Sequence, residues 1–158
     1  VGILDRWRTR GDDDAVVADD GPGGNDGVEP VEEVATRPLT GEEEARLEAY
    51  RLRYAEHGID PADLATIAAA WSAALARGDE AEGPEAVTVV ATAVGDHLVG
   101  AGYRWVVSTD PFGTDLAVEP PRRGVPVVVR TLVAVRWMQR EQDWVENVVG
   151  HLARTARR

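Results

Sequence analysis

A chain of 158 residues with no cysteine, no lysine and a net charge of −11 excludes several chemistries at once. Disulfide frameworks, thiolate nucleophiles and cysteine-ligated metal sites are ruled out, as are Schiff-base lysines and the phosphate-gripping lysine of P-loops. The length suits one domain with a core that needs no covalent staples, and no apolar run approaches the roughly 18 to 20 residues that cross a bilayer. With no signal-peptide pattern at the start, the expectation is a cytoplasmic protein without stable membrane insertion.

Along the chain, residues 2–10 place Ile3, Leu4 and Trp7 on one side of a short helical turn, with Arg6 and Arg10 roughly opposite. This is a small basic amphipath, too short to anchor a protein to a membrane by itself. Residues 11–36 hold nine acids, no base and five glycines. Such a segment repels itself and has too little apolar surface to offset the entropy of ordering. Residues 1–36 are therefore expected to be a short basic amphipath followed by a disordered acidic tail, and 37–158 a single domain of mildly acidic charge. That charge balance disfavours nucleic acid, whose binding proteins neutralise phosphates with a basic face.

The domain opens on Thr40-Gly-Glu-Glu43, a capping box that predicts a helix over 40–57 with Gly58 as its left-handed stop. Asp60-Pro61 predicts the start of a second helix, whose stripe of Leu64, Ile67, Ala68, Trp71 and Leu75 runs to Gly78. A third helix is predicted over 84–99, burying Val87, Val90, Ala91, Val94 and Leu98.

The period then changes. Residues 103–109 read as a strand, Asp110-Pro-Phe-Gly113 as a turn, 114–118 as the partner strand, and 125–130 as a third strand with Pro126 near its start. From Thr131 the chain turns helical, and a last helix from about Glu141 carries Trp144, Val145, Val148, Val149 and Leu152. The expected fold class is α+β, with three N-terminal helices, a small three-stranded antiparallel sheet and C-terminal helices packed on one face.

No catalytic apparatus emerges from this pattern, and no cofactor motif. His57, His97 and His151 lie far apart and lack metal-ligand spacing. Asp96 precedes His97, but adjacent helix positions point about 100° apart and do not align as a pair. Neither serine, Ser72 or Ser108, sits in a glycine-framed elbow. Asp110 and Asp115 flank one turn, where turn stabilisation explains them more simply than acid–base work. Trp105 and Trp137 are large enough to line a groove or to fill the core, and Arg104, Arg130 and Arg136 have the charge to meet an acidic partner. The candidate interaction surface read from the sequence is Arg104, Trp105, Asp110, Phe112, Asp115, Arg136 and Trp137, with no catalytic residue and no metal ligand.

The segments Val94-Gly-Asp-His-Leu-Val99, Arg104 through Val118 and Val133-Ala-Val-Arg-Trp137 together resemble the bacterial, largely actinobacterial, domain-of-unknown-function family DUF3806. The resemblance covers about the last half of the chain and is most specific at the helix-to-hairpin junction. It implies an α+β fold and a cytoplasmic protein; it implies no activity, cofactor or catalytic residue. The functional expectation is a non-enzymatic protein-interaction or regulatory domain, adaptor or immunity-like, with an unidentified protein partner. The alternative is a small-molecule-binding module or a hydrolase without a recognisable motif.

Overall fold

The computed structural model describes residues 33–78 and 83–158. Within them the chain runs β1 (Ala35–Arg37), α1 (Gly41–Arg51), α2 (Leu64–Arg77), α3 (Gly83–Gly100), β2 (Arg104–Asp110), β3 (Gly113–Glu119), α4 (Val129–Gln139) and α5 (Gly150–Ala156). The fold is α+β, with five α-helices among the described residues and a three-stranded antiparallel sheet ordered β1-β2-β3. The basic amphipath, and the expected acidic tail up to residue 32, lie outside the described residues.

The Thr40 capping box forms as its sequence requires. Thr40 Oγ1 accepts the Glu43 amide at 3.3 Å and Glu43 Oε2 accepts the Thr40 amide at 2.8 Å, satisfying two orphan donors reciprocally. Arg37 adds a bidentate grip on the same carboxylate, 2.8 and 2.7 Å from Nη1 and Nη2, so the last residue of β1 is fastened to the first turn of α1.

Several boundaries differ from the sequence expectation. Helix α1 ends at Arg51 and not at 57; residues Ala55–His57 form a separate 3₁₀ turn closed by Gly58 at φ 64°. Helix α2 begins at Leu64 with Asp63, not Asp60, as its cap: Asp63 Oδ1 accepts the Ala65 amide at 3.0 Å. Asp60 instead closes the preceding turn by accepting the Ala62 amide at 2.9 Å.

The third strand expected over 125–130 is absent. Val127 makes a single antiparallel bridge to Val118, and the chain is helical from Val129. The sheet's third strand is β1, whose Ala35, Thr36 and Arg37 pair with Thr109, Ser108 and Val107. It falls across the expected junction between tail and domain. The last helical run starts at Trp144, winds more widely through Val145–Val149 and continues into α5.

Helix α3 is the centre of the core. Val89 through Gly95 are all buried, as befits a helix that is apolar on every side, and α1, α2, α4, α5 and both long strands pack against it. Trp71, Trp144, Ile67 and Leu98 are the largest fully buried side chains around it. On β2, Val106 and Val107 point to opposite faces of the sheet and both are buried, so the middle of the sheet is covered on both sides.

Candidate functional site

The residues that sequence reading singled out fall in four places. Asp110, Phe112 and Asp115 gather at the turn between β2 and β3. Arg104 sits at the opposite end of β2, where Nε lies 2.6 Å from Glu119 Oε2 across the hairpin. Arg136 and Trp137 belong to α4, and Trp105 faces α3.

The turn is closed by hydrogen bonds of its own residues. Asp110 Oδ1 accepts the amides of Phe112 at 2.7 Å and Gly113 at 3.1 Å, a local closure of the kind that makes aspartate a turn former. Gly113 takes φ 144°, which glycine adopts without the Cβ penalty, and the Thr109 and Thr114 hydroxyls meet at 2.9 Å across the strands. The result holds the Phe112 ring 97 % exposed. Beside it is a recess of about 270 Å³ lined by Ser108, Asp110, Thr114, Asp115, Val128 and Thr131 along with Phe112 and Gly113.

Trp105 and Trp137 both pack inward. The Trp105 ring lies against Gly95, and its Nε1 donates to Asp96 Oδ1 at 2.9 Å. Trp137 meets Trp71 edge-on with centroids 5.7 Å apart, Trp71 meets Trp144 likewise at 5.4 Å, and Trp71 Nε1 donates to the Glu141 carbonyl at 2.7 Å. Arg140 lies over the Trp137 ring and Arg136 over Trp144, 5.2 and 5.9 Å from the centroids, within cation–π range. Arg136 is also 3.4 Å from Glu141.

Sequence reading weighed Asp96 only as a partner for His97 and missed a densely bonded polar group. Asp96, near the end of α3, receives Arg51 through Nε at 2.8 Å and Nη2 at 2.6 Å, the Tyr54 hydroxyl at 2.8 Å and Trp105 Nε1 at 2.9 Å. Burial pushes its carboxyl pKa up. The hydrogen bonds from Arg51, Trp105 and Tyr54, together with the Arg51 charge, outweigh that and hold it below the ordinary carboxylate range. Burial, with the adjacent Asp96 charge, pushes the Tyr54 phenol up, so it stays a donor.

Both Asp96 oxygens are committed, each to two donors, which leaves the group no capacity to exchange a proton with a substrate. Its chemistry is that of a clamp joining α1, the following turn, α3 and β2. A lone carboxylate following an unbroken buried apolar stretch was the available signal.

The histidines stay apart in role as well as sequence. His97 Nδ1 is 2.9 Å from the Pro61 carbonyl; since a carbonyl only accepts, Nδ1 carries the proton and pins the loop before α2 to α3. His57 Nε2 is buried with no hydrogen-bond partner among the described residues, and His151 is exposed. Among the described residues no group of three or more His, Cys, Asp or Glu is placed to hold a metal ion, and no helix is long and apolar enough to cross a membrane.

No family model, curated protein or solved structure matches the chain.

Proposed function

We propose that this chain is a cytoplasmic, non-enzymatic protein-interaction or regulatory domain, adaptor or immunity-like, which engages a protein partner through the turn between β2 and β3. The observation that carries the reading is Phe112, an aromatic ring 97 % exposed on a turn whose backbone is already fixed by Asp110. With the turn backbone already fixed, entry of the ring into a partner's pocket orders only its two side-chain torsions, and buried aromatics are the commonest anchors of protein interfaces. The fitting partner has an apolar socket for the ring and a polar or basic rim facing Asp110 and Asp115.

The resemblance to DUF3806 is proposed alongside. Its three segments are the end of α3, the β2–β3 hairpin and the middle of α4, which are consecutive packed parts of this fold.

The test is affinity capture from the source cells with the full chain and with Phe112→Ser. One protein retained stoichiometrically by the native chain and weakened about thirtyfold by the substitution is expected, corresponding to an anchor of about 2 kcal/mol. Equal retention by both chains counts against the turn as the contact surface.

A further inference from the structure

Away from Phe112, five elements converge on a small cleft of about 70 Å³. Arg46, Leu47 and Tyr50 come from α1, Thr88, Ala91 and Thr92 from α3, Trp105 from β2, Asp115 and Leu116 from β3, and Val129 and Arg130 from the start of α4. The volume is that of on the order of five water molecules, so the enclosed part of a ligand has about five or six non-hydrogen atoms.

The charges are arranged unusually for so small a space. Neither Arg46 nor Arg130 makes a hydrogen bond or ion pair among the described residues, although an acid, Asp115, lines the same cleft. Other arginines of the domain, including Arg37, Arg51, Arg53 and Arg104, do hold carboxylates. Asp115 is turned to its own strand, Oδ1 accepting the Leu116 amide at 2.7 Å, and Oδ2 accepts from no donor among the described residues. Most of the remaining wall is apolar or aromatic, Leu47, Tyr50, Ala91, Trp105, Leu116 and Val129, and the Thr88 and Thr92 hydroxyls are turned back to carbonyls of their own helix at 2.8 and 2.9 Å.

We infer that this cleft binds a small α-amino or α-hydroxy carboxylate. The two guanidinium groups supply the charge-assisted donors that a carboxylate needs. Asp115 Oδ2 accepts from the neighbouring ammonium or hydroxyl, and the apolar wall takes a short side chain. A plain carboxylate satisfies only the arginines and leaves Asp115 facing an acid without a donor between them, which is the discriminating feature of the site. The site shares Asp115 with the recess beside Phe112 but not Phe112 itself, so Phe112→Ser tests the protein-binding turn without touching this cleft.

Titration calorimetry on the full chain tests this with glycine, alanine, glycolate and lactate, and with acetate and propionate as acids lacking the second donor. The amino or the hydroxy acids are expected to bind, with acetate and propionate at least about tenfold weaker, the worth of one charge-assisted hydrogen bond. Arg46→Gln and Arg130→Gln should each weaken the preferred acid by about tenfold or more. Asp115→Asn, which keeps the oxygen that accepts the Leu116 amide, should erase the preference over the plain acid. Arg46 and Arg130 are exposed, with side chains unpaired among the described residues, so their substitutions leave the fold intact, and circular dichroism verifies this. Binding of none of these acids, equal binding of plain and substituted acids, or binding indifferent to both arginine substitutions overturns the inference.

Discussion

A Cβ placed on Gly95 would stand 2.2 Å from ring carbons of Trp105. The glycine thus lets an indole lie directly on the backbone of α3, at the distance from which its Nε1 reaches Asp96 on the next residue. Two opposing effects bear on Gly95→Ala. Helix propensity alone favours alanine over an interior glycine by about 1 kcal/mol. Overpacking a filled site costs about 1–3 kcal/mol, and displacing the ring also sacrifices a hydrogen bond to a charged group worth about 1.5–3 kcal/mol. The variant should therefore lose stability in urea unfolding. In a Trp105→Leu background the same alanine should become neutral or stabilising. A Gly95→Ala chain as stable as the native one would show that the ring adjusts freely.

The Asp96 clamp gives stability a defined dependence on acid. Asp96 is held below the ordinary carboxylate range, and the Arg37 hydrogen bonds together with the Thr40 amide pull Glu43 to about 2. A carboxyl whose folded pKa is depressed contributes stability that is present above its unfolded pKa, about 4 for these groups, and is lost as pH falls through the folded value. Stability should thus be flat above about pH 5 and fall from there toward pH 2. Glu43→Gln and Asp96→Asn should each flatten the slope.

Asp96→Asn should also cost about 2–4 kcal/mol at neutral pH. It puts an amide NH₂ against donors and leaves Arg51, whose side chain is only 30 % exposed, with Glu48 as its one remaining carboxylate among the described residues. Tyr54→Phe, which removes one of four hydrogen bonds, should cost about 1 kcal/mol. Urea midpoints measured across pH decide both; an Asp96→Asn chain with the native acid profile would contradict the assignment.

Two buried tryptophans offer a comparison at nearly constant size. Trp71 and Trp144 are both almost inaccessible and stack edge-on against each other, yet Trp71 Nε1 is bonded to the Glu141 carbonyl whereas Trp144 Nε1 has no partner among the described residues. Replacement by Phe removes similar volume in each case. At Trp71 it also orphans a carbonyl; at Trp144 it removes a donor already unsatisfied. Trp71→Phe should be the more destabilising by about 1–3 kcal/mol, as thermal unfolding of the two variants would reveal. The reverse order would mean that the Trp144 N–H has a partner, such as a buried water.

Patterns repeated over many residues were the legible part of this fold. The stripes of α2 and α3 and the Thr40 box each combine several residues pointing to one conformation, and the hairpin announces itself by two β-rich runs around Asp-Pro-Phe-Gly. What failed was short or ambiguous. Val125 through Arg130 has strand-like composition, but Val129, Leu132 and Val133 also continue into a helical stripe, and burial of Val129 and Val133 against the core decides for helix. Strand β1 has three residues, too few for any alternation to register, and its pairing with β2 spans about seventy positions. The Asp96 clamp was hidden for the same reason, since Arg51, Tyr54 and Trp105 meet it only once the helices and sheet are assembled. Seven candidate interface residues became four separate places because composition carries no information on which end of a hairpin or which side of a helix a residue occupies.

Strand β1 yields the most direct test of where the folded unit starts. A chain beginning at Glu33 retains Ala35–Arg37 on the β2 edge and the Arg37 grip on Glu43; one beginning at Pro38 loses both. Without β1, the outward-facing amides and carbonyls of β2 at Val107 and Thr109 lose their partners, which invites pairing with a second molecule. The shorter chain should unfold at lower urea and self-associate in sedimentation, while the chain from Glu33 should behave as the full-length protein does. If the two truncations are equally stable and equally monomeric, β1 contributes nothing to the sheet's integrity and the folded unit begins at the capping box.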